Sequence, residues 1–417
     1  MSPATRLVIA LISTATALFV MLGGLLGRVA GDSAYGQLAL FSEVLHRVTT
    51  AYVEPVDPGR AVRDAQFGLM EALDGESALL DANEFREYLK PSERRDADTG
   101  LAITRRFGFL LILAARPGSP ADRAGLKTGD VIKTIDGRHT RSLELPVGER
   151  MLRGSPGSVV ELAVMRQSND PLVFSIVREK PKPAEPSVTR RDDGVAVLAI
   201  SEFGDGTAET VRDQLDDLRH AGITRLALDL RKAAFGPPES SVPVAELFLK
   251  GGVVTRLVRR HAAEREFKAQ ARRSAWPGEV AVLIGTGTAG PGEIVAAALA
   301  DAKRGPIVGG RTLGRAGVQE TFPLPTGGLV LTVGKYLSPS GKSIHLEGVQ
   351  PTVAVETALE PIEDTAPVGD PVLDKAIELL TAPAAKAADR RDPRHVARAV
   401  LGFPFKGRVA AALALPA

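Results

Sequence analysis

The chain contains no cysteine, which removes disulfide bridges, thiolate metal sites and a cysteine nucleophile at once. Histidine is sparse. The six residues at 46, 139, 220, 261, 345 and 395 are scattered, and none forms the i, i+4 pair or the close carboxylate cluster of a zinc site. Each is therefore read as structural or exposed, and neither a metal nor a cofactor is expected. An excess of charge of one sign is also missing: 52 Lys and Arg face 50 Asp and Glu, a net charge of +2. Nothing in that balance supplies the concentrated basic face that nucleic acid requires.

What remains is an ordinary globular composition, 44% apolar and 24% charged, over 417 residues. That length accommodates about two to three domains. One long uncharged run stands apart, Leu7 to Gly27, just long enough as a helix to cross a bilayer. Before Gly31 the residues Ala30 and Val29 are preceded by Arg28, a poor cleavage site, so an uncleaved anchor is favoured over an export signal. Arg6 precedes the run and Arg28 comes directly after it, so charge specifies its orientation only weakly. The body is placed outside the cytoplasm because short N-terminal anchors usually export the chain behind them.

Residues 36–90 carry helical apolar spacing, as in Phe41-Val44-Leu45-Val48 and Leu69-Met70-Leu73, with Pro55 and Pro58 dividing two helices. A loop begins at Gly75-Glu76-Ser77, and Asp81 is placed to cap a short helix. Ser92 to Asp98 is a charged linker. From Gly100 to Glu179 the pattern changes to short strands with turns, among them Phe109–Leu113, Val131–Ile135, Val159–Val164 and Leu172–Val177. Short helices are expected at Pro120–Ala124 and near Leu143–Leu152. About eighty residues of this kind make one half-open barrel, closed off by Pro181, Pro183 and Pro186. From Val195 onward apolar strands alternate with amphipathic helices, notably Thr207–His220 after Val195–Ile200, and Glu293–Asp301 after Val280–Ile284. That alternation predicts a mainly parallel sheet with crossover helices, then closer strand signals near 318–322 and 329–333. The segment Arg391 to Leu413 mixes Arg, Lys, Ala, Leu and Phe; a solvated or locally helical terminus is favoured over docking on an anionic membrane or a partner.

Taken in order, these stretches resemble the carboxyl-terminal processing peptidases, also called tail-specific proteases. The resemblance rests on Tyr52-Val53-Glu54-Pro55 and Leu73-Asp74 in the lead-in, and on Gly118-Ser119-Pro120-Ala121, Gly129-Asp130-Val131-Ile132 and Ile135-Asp136-Gly137 in the half-barrel. It continues through Asp229-Leu230-Arg231, Glu293-Ile294-Val295-Ala296, Ser338-Pro339-Ser340-Gly341 and Gly348-Val349-Gln350-Pro351. It covers most of residues 40–380 and implies a mixed α/β fold: a PDZ half-barrel, an α/β protease-like core with a mainly parallel sheet, and a helical N-terminal segment. The expected ranges are 1–30 for the anchor or signal, 31–95 for the lead-in, 96–182 for the PDZ domain, 183–360 for the core and 361–417 for a helix and tail. With the N-terminal run as an inner-membrane anchor, the body is expected in the periplasm or another extracytoplasmic space. Its implied partners are protein C-termini or an envelope protein, and it is compatible with a homo-oligomer.

A loop such as Gly100-Leu101-Ala102-Ile103 can aim backbone N–H groups at a peptide's terminal carboxylate while the adjoining strand takes the peptide as an extra strand. Ala102 stands where the family usually has glycine.

The family's chemistry is that of a serine endopeptidase with a serine nucleophile just before a Glu-Ile helix start, a lysine base about 25 residues later and a glutamine four residues beyond. Aligned on Glu293-Ile294 and Gln319, the nucleophile position holds Gly290 and the base position holds Arg315, while Gln319 is retained. Glycine has no nucleophile, and a guanidinium with a pKa above about 12 cannot act as a neutral base. The loop that lines the family's oxyanion site reads Asp229-Leu230-Arg231-Lys232-Ala233-Ala234-Phe235-Gly236, with Phe235 in place of a glycine. The expectation is a pseudoprotease, membrane-anchored and still able to bind a peptide or partner. Two alternatives stand beside it. Thr288 or Thr286 could replace the serine in an active peptidase, although neither has a base. Gly285, Gly287 and Gly290 spell a dinucleotide fingerprint after a strand and before a helix, but the strand after it, Pro306-Ile307-Val308, ends in Gly309-Gly310-Arg311 with no acidic residue for a ribose.

Overall fold

The computed structural model describes residues 34–90, 96–106, 108–166, 170–355 and 369–382. The apolar run Leu7–Gly27, most of the charged linker and the tail after Ala382 lie outside the described residues. Among the described residues no helix is long and apolar enough to cross a membrane. The chain divides into two compact units, residues 1–73 and 74–417.

The first unit contains α1 (Ala34–Ala51) and α2 (Pro58–Leu73). Pro58 starts α2 at the position where its missing N–H and fixed φ cost nothing. Tyr35, Leu38, Phe41 and Val44 of α1 are exposed.

The second unit opens with β1 (Ala78–Asp81) and α3 (Ala82–Leu89). Asp81 caps α3 as expected: Oδ1 accepts from the N–H groups of Asn83 (2.7 Å) and Glu84 (2.8 Å), and the Glu84 carboxylate accepts from the Asp81 N–H in return. The half-barrel comes next, with β2 (Leu101–Arg106), β3 (Phe109–Ala115), β4 (Val131–Ile135), β5 (Arg138–His139), β6 (Val159–Met165) and β7 (Leu172–Val177). Helices α4 (Pro120–Arg123) and α5 (Leu145–Met151) interrupt it. Its strands run in the order β2-β3-β4-β6-β7, with β5 on β4, so β2 is an edge. In β6, Val160, Leu162 and Val164 are buried while Val159 and Glu161 are exposed, the period-two pattern of a sheet with one face on a core.

The core holds two sheets. One is six-stranded, ordered β17-β14-β13-β10-β9-β8 and built from β8 (Ser187–Arg190), β9 (Val195–Ala199), β10 (Arg225–Asp229), β13 (Glu279–Ile284), β14 (Ile307–Gly309) and β17 (Val353–Ala354). Every pairing in it is parallel except β8 with β9. Its central strands are apolar without alternation, because elements cover both faces. Helix α6 (Thr207–His220) lays Val211, Leu215 and Leu218 on the sheet at helical spacing. Helix α9 (Pro371–Thr381) covers the opposite face, packing Val372, Ala376 and Leu380 against Ala227, Ala281 and Val308. Arg231 ties that helix down, pairing with Asp229 at 2.6 Å and with the capping residue Asp370 at 2.8 Å.

The second core sheet corrects the expectation of a mainly parallel fold. It joins β1, β16 (Gly327–Leu337), β11 (Gly252–Arg259) and β12 (Arg265–Ala269) in that order, with β15 (Gly317–Leu324) also on β16, and every pairing is antiparallel. Across the described residues antiparallel pairs outnumber parallel ones. The sheet escaped a reading by alternation because β1 is only four residues long and pairs with β16 far downstream, Ala78 opposite Val330. Two further helices, α7 (Ser241–Glu246) and α8 (Pro291–Asp301), pack against each other and on β11 of this sheet.

Candidate active site and its cover

The turn from β13 to α8 is held at each residue that could matter. Thr288 is fully buried; its hydroxyl donates to the Leu230 carbonyl (2.8 Å) and accepts from the Gly285 N–H (3.1 Å). Ala289 donates to the Ala233 carbonyl (2.9 Å), and Pro291 starts the helix. Between them Gly290 adopts φ 52° and ψ −110°, a left-handed conformation that costs any other residue on the order of 1–3 kcal/mol. Thr286 is exposed, and Thr288 is tied into the turn as a structural brace. The glycine-rich turn is also no phosphate cradle. A methyl group on Gly287 would lie 2.5 Å from the Arg231 carbonyl and 2.7 Å from that of Leu113, so β3 of the half-barrel sits over the space a pyrophosphate would need.

Glu293, used in the sequence only to locate the turn, proves to be its organiser. It is fully buried. One carboxylate oxygen accepts from the Gly290 N–H (3.0 Å), and the other accepts from the Thr312 hydroxyl and from the Gly314 N–H (2.6 Å). The β13–α8 turn and the 312–315 loop are thereby fixed to one side chain. Burial pushes the Glu293 carboxyl up to about 7, although the four donors from Thr312, Gly314, Gly290 and Arg315 pull in the other direction.

The backbones at 290 and 315 lie together, since a Cβ on Gly290 would be 3.4 Å from the Arg315 carbonyl oxygen. The Arg315 guanidinium is committed to three partners: Nε donates to Glu76 (2.6 Å), Nη2 to Glu149 (3.1 Å) and Nη1 to the Ile103 carbonyl (3.1 Å). Burial disfavours its charge, but Glu76 and Glu149 more than offset that and hold the guanidinium protonated beyond its ordinary range. Gln319 shares the same acid, donating to Glu76 (3.0 Å) and to the Thr332 hydroxyl (3.3 Å). None of Glu76, Glu149 or Glu293 was among the candidate residues read from the sequence. The two ion-pair partners could not have been, lying 239 and 166 positions from Arg315.

Phe235 is buried against Ala102, Leu113 and Ala114 of the half-barrel and Ala289 and Leu313 of the core. The Arg116 guanidinium covers its ring at 4.7 Å and also pairs with Glu202 (2.9 Å). Gly236 is exposed. Of the expected carboxylate-binding segment, Gly100 precedes the strand, and Leu101, Ala102 and Ile103 belong to the edge strand β2, paired with β3. The Gly100 N–H donates to Asp98 (2.9 Å), because the turn before β2 is closed by that carboxylate.

A half-barrel laid over the strand–turn–helix of an α/β core defines a PDZ-bearing serine-peptidase architecture. Residues 194–355 match Peptidase family S41, and residues 111–166 match the PDZ domain family. The chain is 30% identical over 336 residues to a carboxy-terminal-processing protease of Bartonella bacilliformis, covering 79% of this chain and 77% of that one. It is 26% identical over 354 residues to the carboxy-terminal processing protease CtpA of Bacillus subtilis, covering 84% of this chain and 76% of the other. Among solved structures, a photosystem II D1 C-terminal processing protease superposes with a TM-score of 0.62 at 25% identity, over 81% of this chain and 90% of that one. The chain belongs to the carboxy-terminal processing proteases of peptidase family S41, and carries their PDZ domain.

Proposed function

We propose that this chain is a catalytically inactive member of its family, anchored at the inner membrane with its body in the periplasm, that binds protein C-termini or a partner protein through its PDZ domain. The observation that carries this reading is Arg315. At the position of the family's lysine base stands a guanidinium held between two carboxylates, beside a Gly290 that has no side-chain atom to activate. Base catalysis needs a group that can be neutral near working pH, and this environment moves the group the other way. The uncharged Leu7–Gly27 run supports the anchor.

The test uses the purified full-length chain in detergent with unfolded protein substrates ending in apolar residues. No cleavage is expected from the unmodified chain, and cleavage above that level from Gly290→Ser combined with Arg315→Lys. Robust cleavage by the unmodified chain that disappears in Thr288→Ala would replace this reading with that of a threonine-dependent peptidase.

A further inference from the structure

Strand β2 is the edge of the PDZ sheet, so peptide capture by strand addition needs its outward carbonyls free. Residues two apart on a strand direct their carbonyls to the same side, and the two that matter are Ile103 and Arg105. Both are already covered by this chain. Arg315 donates to the Ile103 carbonyl. Two residues further along, Gly75 lies so close to the Arg105 carbonyl that a Cβ would stand 2.3 Å from its oxygen, and only glycine fits.

The segment that covers the edge is fastened to the core. Asp74 Oδ1 closes the loop by accepting from the N–H groups of Glu76 (2.8 Å) and Ser77 (2.6 Å), and its Oδ2 lies 3.6 Å from His345 Nε2. The Ser77 hydroxyl accepts from the Thr332 N–H (3.2 Å), and Glu76 takes both Gln319 and Arg315. Arg315 then reaches across to Glu149 on α5, the helix that faces β2. One guanidinium thus joins the core, the loop, the PDZ helix and the PDZ edge strand. Phe235 makes the same crossing from the oxyanion side through Ala102, Leu113 and Arg116.

We infer that Arg315 and Phe235, at the substituted base and oxyanion-loop positions, serve as docking residues that clamp the PDZ domain onto the core, and that the peptide edge is closed by the chain's own Asp74–Ser77 loop until that clamp opens. The inference rests on the peptide-binding reading only for the nature of the excluded ligand. Of the guanidinium's partners, Glu149 is the weak point, because its side chain is 42% exposed and its bond is longer than that of Glu76. A rise in ionic strength should therefore loosen the clamp there first.

Two readouts on the full-length chain in detergent separate the clamp from the ligand. Amide hydrogen exchange over residues 101–106 is expected to rise at least tenfold in Arg315→Ala and about threefold in Glu149→Gln relative to the unmodified chain. A fluorescein-labelled decapeptide with an apolar C-terminal residue and a free carboxylate is expected to bind Arg315→Ala at least tenfold, and Glu149→Gln about threefold, more tightly than the unmodified chain. Glu149→Gln is a partly exposed, isosteric change and guards against misfolding of the alanine variant. Equal exchange in all three proteins would overturn the clamp, as would equal peptide affinity at a measurable level. Raised exchange with no peptide binding to any of them would uphold the clamp and sink the peptide-binding reading instead.

Discussion

Arg315 and Glu76 form a 2.6 Å ion pair between segments 239 residues apart in the chain. The pair is mostly shielded from water, with the Glu76 side chain only 10% exposed. Removing one member of such a pair strands the other charge, which costs more than the pair contributes. Arg315→Ala is expected to lower unfolding stability by about 2–4 kcal/mol, whereas Glu149→Gln should cost under about 1 kcal/mol because that carboxylate remains in contact with solvent. Denaturant melts of the two variants check the order; a larger loss for Glu149→Gln would contradict it.

Gly290 carries a different cost. Its φ of 52° disfavours a side chain even though the space beside it is not closed, the nearest neighbour of a Cβ being the Arg315 carbonyl at 3.4 Å. Gly290→Ala and Gly290→Ser should each destabilise by about 1–2 kcal/mol from backbone strain alone. Thermal unfolding of the alanine variant measures the strain without the complication of a new hydroxyl, and an unchanged melting temperature would show that the turn relaxes.

The pH dependence of stability should reveal Glu293. Its folded pKa is raised to about 7 by burial, so the folded state binds the proton more tightly than the unfolded chain does. The stability from this group is fully present below the ordinary glutamate range near pH 4.3 and is lost as pH rises through 7, on the order of 3 kcal/mol over that interval. Glu293→Gln removes the titration but turns an amide N–H₂ toward a donor at Gly290 or at Thr312 and Gly314. The variant's melting temperature is expected to vary less between pH 4.5 and 7.5 than that of the unmodified chain. Parallel curves would rule out Glu293 as the titrating group.

Phe235 should be as important to stability as a core residue. It fills the seam between Ala102, Leu113 and Ala289 beneath Arg116, and restoring glycine leaves a cavity there. Phe235→Gly is expected to cost about 3–5 kcal/mol. Arg116→Ala, which loses the cation over the ring and the 2.9 Å pair with Glu202, should cost about 2 kcal/mol and add less than its full value on top of Phe235→Gly. Additive effects in a double-mutant cycle would show the two side chains to be independent.

Much of the local architecture is legible in the order of residues alone. The spacing Val211-Leu215-Leu218 marks α6 with its observed ends, and Asp81 with Glu84 three residues on marks a cap that forms as read. The half-barrel strands appear because their alternation is a property of neighbouring residues. The second core sheet is harder to see, since β1 is four residues long and β12, Arg265–Ala269, is mostly polar and among the described residues pairs only with β11. Those strands exist because a partner supplies their hydrogen bonds, and a partner far along the chain leaves no local trace. Leu101 to Ile103 beside Gly100 read as a loop, but β3 recruits them into its ladder.

By itself the sequence decided that position 290 carries no side-chain heavy atom and position 315 a guanidinium, because covalent identity needs no fold. It could not say where that guanidinium's charge would go. Ile103, Glu149 and Glu76 reach Arg315 from the edge strand, helix and loop of separate segments, and their convergence arises only when the PDZ domain packs onto the core. Long-range ion pairs leave no periodicity to read, so tertiary structure alone brought these partners to the guanidinium.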